Sequence, residues 1–158
     1  MRPMCIVESW HALHARVTSG AGHSRARRIA GTMAGMDFRD IVVEFATLGD
    51  AQVLSTMTRD WVEAGLGWSY RAERITRLIA SANHTAVVAR DGSRIVGFAI
   101  MEFGDERAHL VLLAVRPSHR RRHIGKALGQ WLIDSAITAG ASSVHVEVGR
   151  CRLRCPCL

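Results

Sequence analysis

Positive charge is concentrated where a strand-like run meets a helix-like run. The stretch "VRPSHRRRHIGKALGQWL" (115–132) carries Arg120, Arg121, Arg122 and Lys126 within seven residues. A loop that follows a strand and begins a helix offers unpaired backbone N–H groups and the positive end of the helix dipole, and both bind anions. Cations at a helix start are unfavourable unless an anion neutralises them. The pattern therefore predicts an anion site, with phosphate as the preferred ligand, rather than a solvated arginine run.

Common nucleotide-binding motifs do not account for this stretch. A P-loop reads G-x-x-x-x-G-K-[ST], but here Gly125-Lys126 is followed by Ala127, and Arg120 stands at the position of the first glycine. The dinucleotide fingerprint G-x-G-x-x-G is absent as well. The anion must therefore belong to another class of ligand.

Two histidines in the same stretch raise the question of a metal. His119 and His123 are four residues apart, a spacing that can hold a metal ion on a helix. They lie among arginines, and no acid or cysteine stands close to them in sequence. We therefore expect no metal site here.

The overall charge points away from nucleic acid. Of the formal net charge of +7, residues 1–35 contribute +4 and residues 149–158 contribute +3, so that 36–148 is neutral. An arginine-mediated nucleic-acid binder is the weaker alternative, because the middle is neutral and no aromatic residues interleave the cations at 116–126. No stretch approaches the roughly 18 apolar residues of a membrane helix, so we expect no membrane partner.

Composition divides the chain into three segments. Residues 1–35 are basic and lack sustained periodicity, which indicates a disordered extension, a transit peptide, or translation that begins at Met33 or Met36. Residues 36–148 suit one globular domain. Residues 149–158, "GRCRLRCPCL", form an atypical Arg/Cys-rich tail that indicates a frameshift or truncation. All four cysteines lie in the flanks, which favours a reducing, cytoplasmic location.

The middle segment predicts alternating helices and strands. The order is β-α-α-β-β-β-α-β, with strands at 41–47, 85–90, 94–103, 107–115 and 142–148, and helices at 49–65, 70–83 and 122–139. Hairpin signals at "DGS" and "GDE" predict antiparallel pairing of three strands. The last helix must carry the chain over so that the final strand runs parallel to 107–115. We therefore expect an α/β fold: a mixed, mostly antiparallel central sheet with helices on both faces.

With these elements in place, "RRRHIG" (120–125) resembles the acyl-CoA-binding motif Q/R-x-x-G-x-G/A of the GNAT N-acetyltransferase superfamily. The preceding "LAVRPSHR", the hairpin order and the later "VHVEV" fit that family too, so the resemblance covers roughly 38–148. It implies a GNAT-like acyl-CoA N-acyltransferase fold. It also implies acetyl-CoA as co-substrate, no metal, and transfer to an amine of a protein or small molecule, as in bacterial members of the family.

The match departs from the family at His123, which stands where the first glycine is usual. A second register, beginning at Arg122, satisfies the pattern but spoils its spacing from Pro117, so we prefer the first. His123 can still donate its backbone N–H, but its Cβ would crowd a pyrophosphate. The resemblance assigns the pyrophosphate to Val115, Arg120, Arg121, Arg122, His123, Ile124, Gly125 and Lys126, and the pantetheine arm to the backbone of Leu113, Ala114 and Val115.

Transfer to an amine requires a neutral nucleophile, so a general base is expected. Candidates on the strands that would meet at the thioester are Glu102, Glu106 and His109. His109 suits the task best, although a half-exposed strand histidine has the same sequence signature. Glu106, with Asp105, is also explained as a turn residue.

The acceptor would lie by "GLGWSY" (65–70), the connection between the first two helices, which often forms one wall of the acceptor site in the family. Trp68 and Tyr70 are the substrate-binding candidates, although Trp68 could equally anchor the turn by burying its ring.

The family's usual general acid, a Tyr on a helix after the fifth strand, has no counterpart in this sequence. The resemblance therefore implies a domain that lacks the final helix and hairpin. It leaves open an inactive remnant that binds acyl-CoA without turnover. The open edge strand would also favour a homodimer.

Overall fold

The computed structural model describes Arg27–Arg28 and residues 41–146. No helix in these ranges is both long and apolar enough to cross a membrane. The strands are β1 (Arg27–Arg28), β2 (Ile41–Phe45), β3 (His84–Asp91), β4 (Arg94–Phe103), β5 (Arg107–Val115) and β6 (Ser143–Val146), and the helices are α1 (Ala51–Trp61), α2 (Ala72–Ala80) and α3 (Ile124–Thr138).

The strands form one sheet in the order β1-β2-β3-β4-β5-β6. Neighbours pair antiparallel from β1 through β5, and β6 pairs parallel with β5, as the helical crossover predicts. The predicted fold class, a mixed and mostly antiparallel sheet with helices on both faces, is confirmed. β1 lies inside the segment predicted as an N-terminal extension, and the remainder of that segment, like the predicted tail, lies outside the described residues.

The sheet is covered on both faces, which explains the continuous apolar runs of its central strands. One face packs on α3, whose buried residues include Ile124, Leu128 and Leu132; we call this the α3-side core. The other face packs on α1 and α2 through residues such as Leu54 and Ile75, and we call this the α1/α2-side core. β4 lies between both, with seven consecutive buried residues.

Two glycines fix how α3 sits on the sheet. A Cβ on Gly97 of β4 would lie 3.1 Å from a methyl carbon of Leu128 and 3.3 Å from the carbonyl oxygen of Ala114. Glycine therefore allows α3 to approach the strand closely. At the other end of α3, Gly140 has a φ of 90° and ends the helix, as its position in the sequence predicts.

The first helix, α1, ends earlier than its periodicity predicts. α1 is preceded by a 3₁₀ turn (Leu48–Asp50), in which both the backbone N–H and the hydroxyl of Thr47 donate to Asp50. Asp50 in turn accepts a hydrogen bond from Arg90 of β3 at 2.8 Å. At its C-terminal end, Glu63 donates its backbone N–H to Thr58, so that the chain leaves the helix well before Gly65.

Candidate active site

The loop between β5 and α3 presents a row of unsatisfied backbone donors. Its first part is tied down, because Arg116 N–H donates to the carbonyl of Val96 and Arg120 N–H donates to that of Pro117. From 121 to 126, by contrast, no backbone N–H finds an acceptor among the described residues. Six consecutive N–H groups at the start of a 15-residue helix make a site that suits an anion.

Two residues of this loop adopt left-handed backbone geometry. Arg121 has a φ of 58°, and His123, the N-cap of α3, has a φ of 55° and a ψ of 11°. Left-handed geometry costs a residue with a Cβ roughly 1–2 kcal/mol relative to glycine. The glycine that is usual in the motif therefore corresponds to a real backbone requirement at His123, which supports the first register over the second.

The side chains of the loop carry positive charge that no acid neutralises. Arg121 and Lys126 are exposed and Arg122 is half-buried. Within residues 41–146, none of them, nor Arg120, forms an ion pair with a carboxylate. This charge adds to the field of the helix dipole rather than offsetting it.

Contacts to the β3–β4 hairpin hold the loop in place. His119 Nε2 lies 3.2 Å from a carboxylate oxygen of Asp91. Arg116 Nε donates to the carbonyl of Ile95 at 2.7 Å, and its guanidinium lies over the ring of Trp61. His119 therefore has a structural partner, and no group of three or more His, Cys, Asp or Glu residues in the described part of the chain is arranged to hold a metal.

Among the described residues, β5 has no strand partner on its β6 side beyond Leu110. Pairing with β6 runs from Arg107↔Ser143 to Leu110↔Val146 and goes no further in the described residues. On the β4 side the register shifts between Ile100 and Met101, so that β5 carries an extra residue at Val111. Within the described part of the chain, residues 111–115 thus offer backbone groups on the β6 side, next to the loop that precedes α3.

The register brings two of the predicted catalytic residues together. Glu102 of β4 is directly opposite His109 of β5, so both side chains project from the same face, which is that of the α1/α2-side core. The same row continues to His84 on β3 and to His145 on β6. Four titratable side chains therefore cross the sheet side by side.

His109 has an unused polar atom. Its Nε2 is buried and has no hydrogen-bond partner among the described residues. A buried polar atom without a partner is costly, and such atoms in native proteins are usually explained by a ligand, a water or a chemical role. His109 is therefore available as a proton acceptor in a way that a satisfied core histidine would not be.

Glu106 lies apart from this pair. It stands at the turn before β5, three residues from His109, or about 10 Å along an extended strand. Its carbonyl accepts hydrogen bonds from both the backbone N–H and the hydroxyl of Ser142. The geometry favours the turn interpretation of Glu106 that the sequence left open.

The connection between α1 and α2 is organised by a carboxylate that the sequence interpretation missed. Glu63, which is 8% exposed, accepts hydrogen bonds from the backbone N–H groups of Ser69 and Tyr70 and from the Ser69 hydroxyl. Burial acts to raise the pKa of Glu63, but these hydrogen bonds and the nearby Arg74 outweigh it, so that the pKa is lowered. The loop that carries Trp68 and Tyr70 is thus fixed from within.

We expect Glu63→Gln to destabilise the domain by about 1–3 kcal/mol at pH 7, because neutral Gln replaces a charged acceptor of three hydrogen bonds. Since the pKa is lowered on folding, this stability is present above the usual value near 4.5 and is lost as the pH falls through the folded-state pKa. Urea unfolding at pH 7 and at pH 3 measures the difference. Equal losses at both pH values would contradict the role of the charge.

Tyr70 and Trp68 lie in different surroundings. Tyr70 packs against the α1/α2-side core, and its carbonyl accepts a hydrogen bond from Ser55. Trp68 is half-buried between two arginines, and its Nε1 has no acceptor in residues 41–146. The Tyr70 ring therefore borders the core beneath the face that carries Glu102 and His109, whereas the Trp68 ring lies between Arg59 and Arg71.

The Acetyltransferase (GNAT) family description matches residues 52–154 of this sequence. The chain belongs to the GNAT acetyltransferase family. The match covers most of α1, all of α2, and everything from β3 to β6, including α3 and the loop that precedes it. The resemblance based on "RRRHIG" and its setting is confirmed at the level of the family.

Solved structures share the GNAT fold. The chain is similar to a transcriptional regulator from Bacillus halodurans C-125, with 24% identity, a TM-score of 0.61, and coverage of 71% of this chain and 84% of that chain. It is also similar to a ribosomal-protein-alanine N-acetyltransferase from Brucella melitensis biovar Abortus 2308, with 21% identity, a TM-score of 0.59, and coverage of 71% of this chain and 82% of that chain. A third similar structure is a PaiA N-acetyltransferase from Thermoplasma acidophilum in complex with coenzyme A, with 21% identity, a TM-score of 0.62, and coverage of 70% of this chain and 80% of that chain. No curated protein sequence matches the chain.

Proposed function

We propose that this GNAT-family chain transfers an acetyl group from acetyl-CoA to a primary amine. The observation that carries the proposal is the loop before α3, where six backbone N–H groups and several cations have no partner within residues 41–146, and where left-handed geometry at His123 coincides with the acyl-CoA motif. The neighbouring structure in complex with coenzyme A supports the choice of cofactor.

In this proposal the loop binds the pyrophosphate. The backbone N–H groups from His123 to Lys126 donate to phosphate oxygens, and Arg121 and Arg122 add charge-assisted hydrogen bonds. Lys126 and Arg120 contribute to the positive field around the site. Ile124 is buried beneath the loop, and a Cβ on Gly125 would lie 3.6 Å from a side-chain carbon of Val115, which is an ordinary van der Waals contact.

The pantetheine arm then follows the open edge of β5. Leu113, Ala114 and Val115 supply backbone groups beside the loop, and the arm runs back along the strand towards Val111. Five residues of extended strand span about 17 Å, which brings the thioester close to His109. A backbone N–H at the extra residue of β5 is suited to polarise the thioester carbonyl.

Glu102 and His109 would then prepare the acceptor. A protonated amine must lose a proton before it attacks the thioester carbonyl. His109 Nε2 accepts that proton, and the carboxylate of Glu102 stabilises the imidazolium that forms. The nitrogen–carbonyl bond forms and the carbon–sulfur bond breaks, and the CoA thiolate leaves with the electron pair. The nitrogen then gives its second proton to solvent to become the amide, and the thiolate takes a proton from solvent.

Calorimetric titration of the purified chain with acetyl-CoA, followed by a thiol-release assay with primary amines, tests the proposal. We expect 1:1 binding, and CoA release that depends on the amine. Binding without release would identify the chain as an acyl-CoA-binding remnant. No binding by a folded chain would overturn the proposal.

We expect His123→Gly to stabilise the chain by about 1 kcal/mol, because it removes the left-handed penalty at a modest entropic cost. It should also raise acetyl-CoA affinity by about tenfold, or 1.4 kcal/mol, since no Cβ then opposes the pyrophosphate. Thermal unfolding and calorimetry measure the two effects. His123→Ala is the matched control, because it removes the imidazole and keeps the Cβ; equal gains in both variants would contradict the backbone explanation.

A further inference from the structure

Three guanidinium groups are held against aromatic rings on the connection between α1 and α2. The Cζ atoms of Arg59 and Arg71 lie 5.5 and 5.4 Å from the centroid of the Trp68 ring, and that of Arg74 lies 4.2 Å from the Tyr70 centroid. Cation–π contact engages the flat face of a guanidinium and leaves its N–H edge free to donate. These arginines are therefore positioned donors rather than freely moving surface side chains.

The nearest acids are engaged elsewhere. Asp60 bonds to Arg59 at 2.8 Å. Glu63 directs its oxygens to Ser69 and Tyr70, as described above. Both carboxylates therefore already accept hydrogen bonds from other groups.

Arg71 has no carboxylate partner in the described residues, whereas Arg74 lies close enough to Glu63 for its charge to act on that carboxylate. Neither arginine forms an ion pair with any residue between 41 and 146. Glu73, the exposed acid between them in sequence, likewise forms no ion pair with any residue between 41 and 146. The Nε1–H of Trp68, buried without an acceptor in the described structure, adds an unused donor beside the two arginines.

This cationic group borders the same core as the Glu102–His109 pair. Tyr70 and Val111 pack against the α1/α2-side core, on the face from which Glu102 and His109 project. An acceptor on this face would meet a carboxylate and an imidazole at one end and guanidinium groups at the other.

We infer that the acceptor is an amine whose molecule also carries carboxylate groups, with an acidic peptide N-terminus as the model ligand. The inference rests on the proposed acetyl transfer, and it names the class of acceptor. Guanidinium edges match planar carboxylates, whereas a polycationic acceptor would face like charge at Arg71 and Arg74. The amine end would reach His109 while the carboxylates bind the stacked arginines.

Two short peptides with the same free N-terminal alanine, Ala-Glu-Glu-Glu and Ala-Lys-Lys-Lys, distinguish the charge requirement. With the full chain and saturating CoA, we expect the acidic peptide to bind at least about tenfold more tightly in calorimetry. Its advantage in kcat/KM with acetyl-CoA should be of the same order. Arg71→Glu and Arg74→Glu should each remove most of this preference. Arg71→Lys combined with Arg74→Lys keeps the charge but not the planar donor edge, so it should keep only part of the preference.

Arg107→Glu supplies the matched charge control, because Arg107 is exposed at the start of β5 and has no cation–π contact with Trp68 or Tyr70 in the described structure. It should leave the preference intact, and all variants should bind CoA like the parent chain. Equal binding of the two peptides, or tighter binding of the basic one, would overturn the inference. The proposed function would still be supported in that case if the chain binds CoA and releases its thiol in the presence of an amine. Loss of CoA binding by the parent chain would instead count against the proposed function itself.

Discussion

Reversing the charge of Arg121 and Arg122 together is expected to lower acetyl-CoA affinity by at least about 100-fold. Each arginine would lose a charge-assisted hydrogen bond worth about 1.5–3 kcal/mol, and 1.4 kcal/mol corresponds to a factor of ten. The Glu side chains would in addition repel the pyrophosphate at a helix N-terminus. Calorimetry at 0.15 M salt, close to physiological ionic strength, measures the loss under realistic screening.

The loss must be separated from a change in overall charge or in folding. The matched control is Arg77→Glu with Arg107→Glu, which changes the net charge equally at two exposed positions on α2 and β5. We expect this control to bind acetyl-CoA within a factor of about three of the parent chain, since screened surface charges act weakly at a distance. If both double variants lost affinity equally, the loop would not be the pyrophosphate site.

A lower salt dependence should accompany the loss. Removing two cations from the contact with the pyrophosphate reduces the number of ions displaced on binding, as in other polyanion complexes. Titrations at two salt concentrations should therefore show a shallower slope for Arg121→Glu with Arg122→Glu than for the parent chain. An unchanged slope would indicate that other cations carry the contact.

The strands could be predicted from sequence more closely than the helices. The bounds of β4 and β5 match the predicted 94–103 and 107–115, because the hairpin turns that contain Gly92 and Gly104 have recognisable turn sequences. α1 was predicted over 49–65 and spans Ala51–Trp61 instead. Apolar spacing continues to Ala64, but Glu63 captures the backbone of Ser69 and Tyr70, a contact that no local pattern indicates.

The candidate site was predictable where a motif fixed the positions and not where tertiary pairing did. The spacing from Pro117 selected His123 as the position that replaces glycine, and the left-handed backbone gives that choice a physical reason. The pairing of Glu102 with His109 depends on the extra residue at Val111, so the two could be named as candidates but not placed opposite each other. The separate location of Glu106 depends on the same register.

The largest expected effect on catalysis comes from His109→Asn. The variant keeps a polar side chain of similar shape but loses the proton acceptor at Nε2, and loss of a general base lowers kcat by about 10²–10⁴-fold. Because His109 does not contact the pyrophosphate loop, acetyl-CoA affinity should change by less than about threefold, which falls within the usual effect of a substitution outside a binding contact. Thiol release under saturating acetyl-CoA, together with calorimetry, measures both quantities.

His145→Asn is the matched control, since His145 is directly opposite His109 on β6 and projects from the same face. It is exposed, whereas Nε2 of His109 is buried without a partner in the described residues, so only the His109 variant should lose activity. If His109→Asn kept its activity while Glu102→Gln lost it, the proton acceptor would be the carboxylate, acting through an ordered water. Equal and complete losses in the His109 and His145 variants would instead indicate that the row of side chains supports the sheet rather than the reaction.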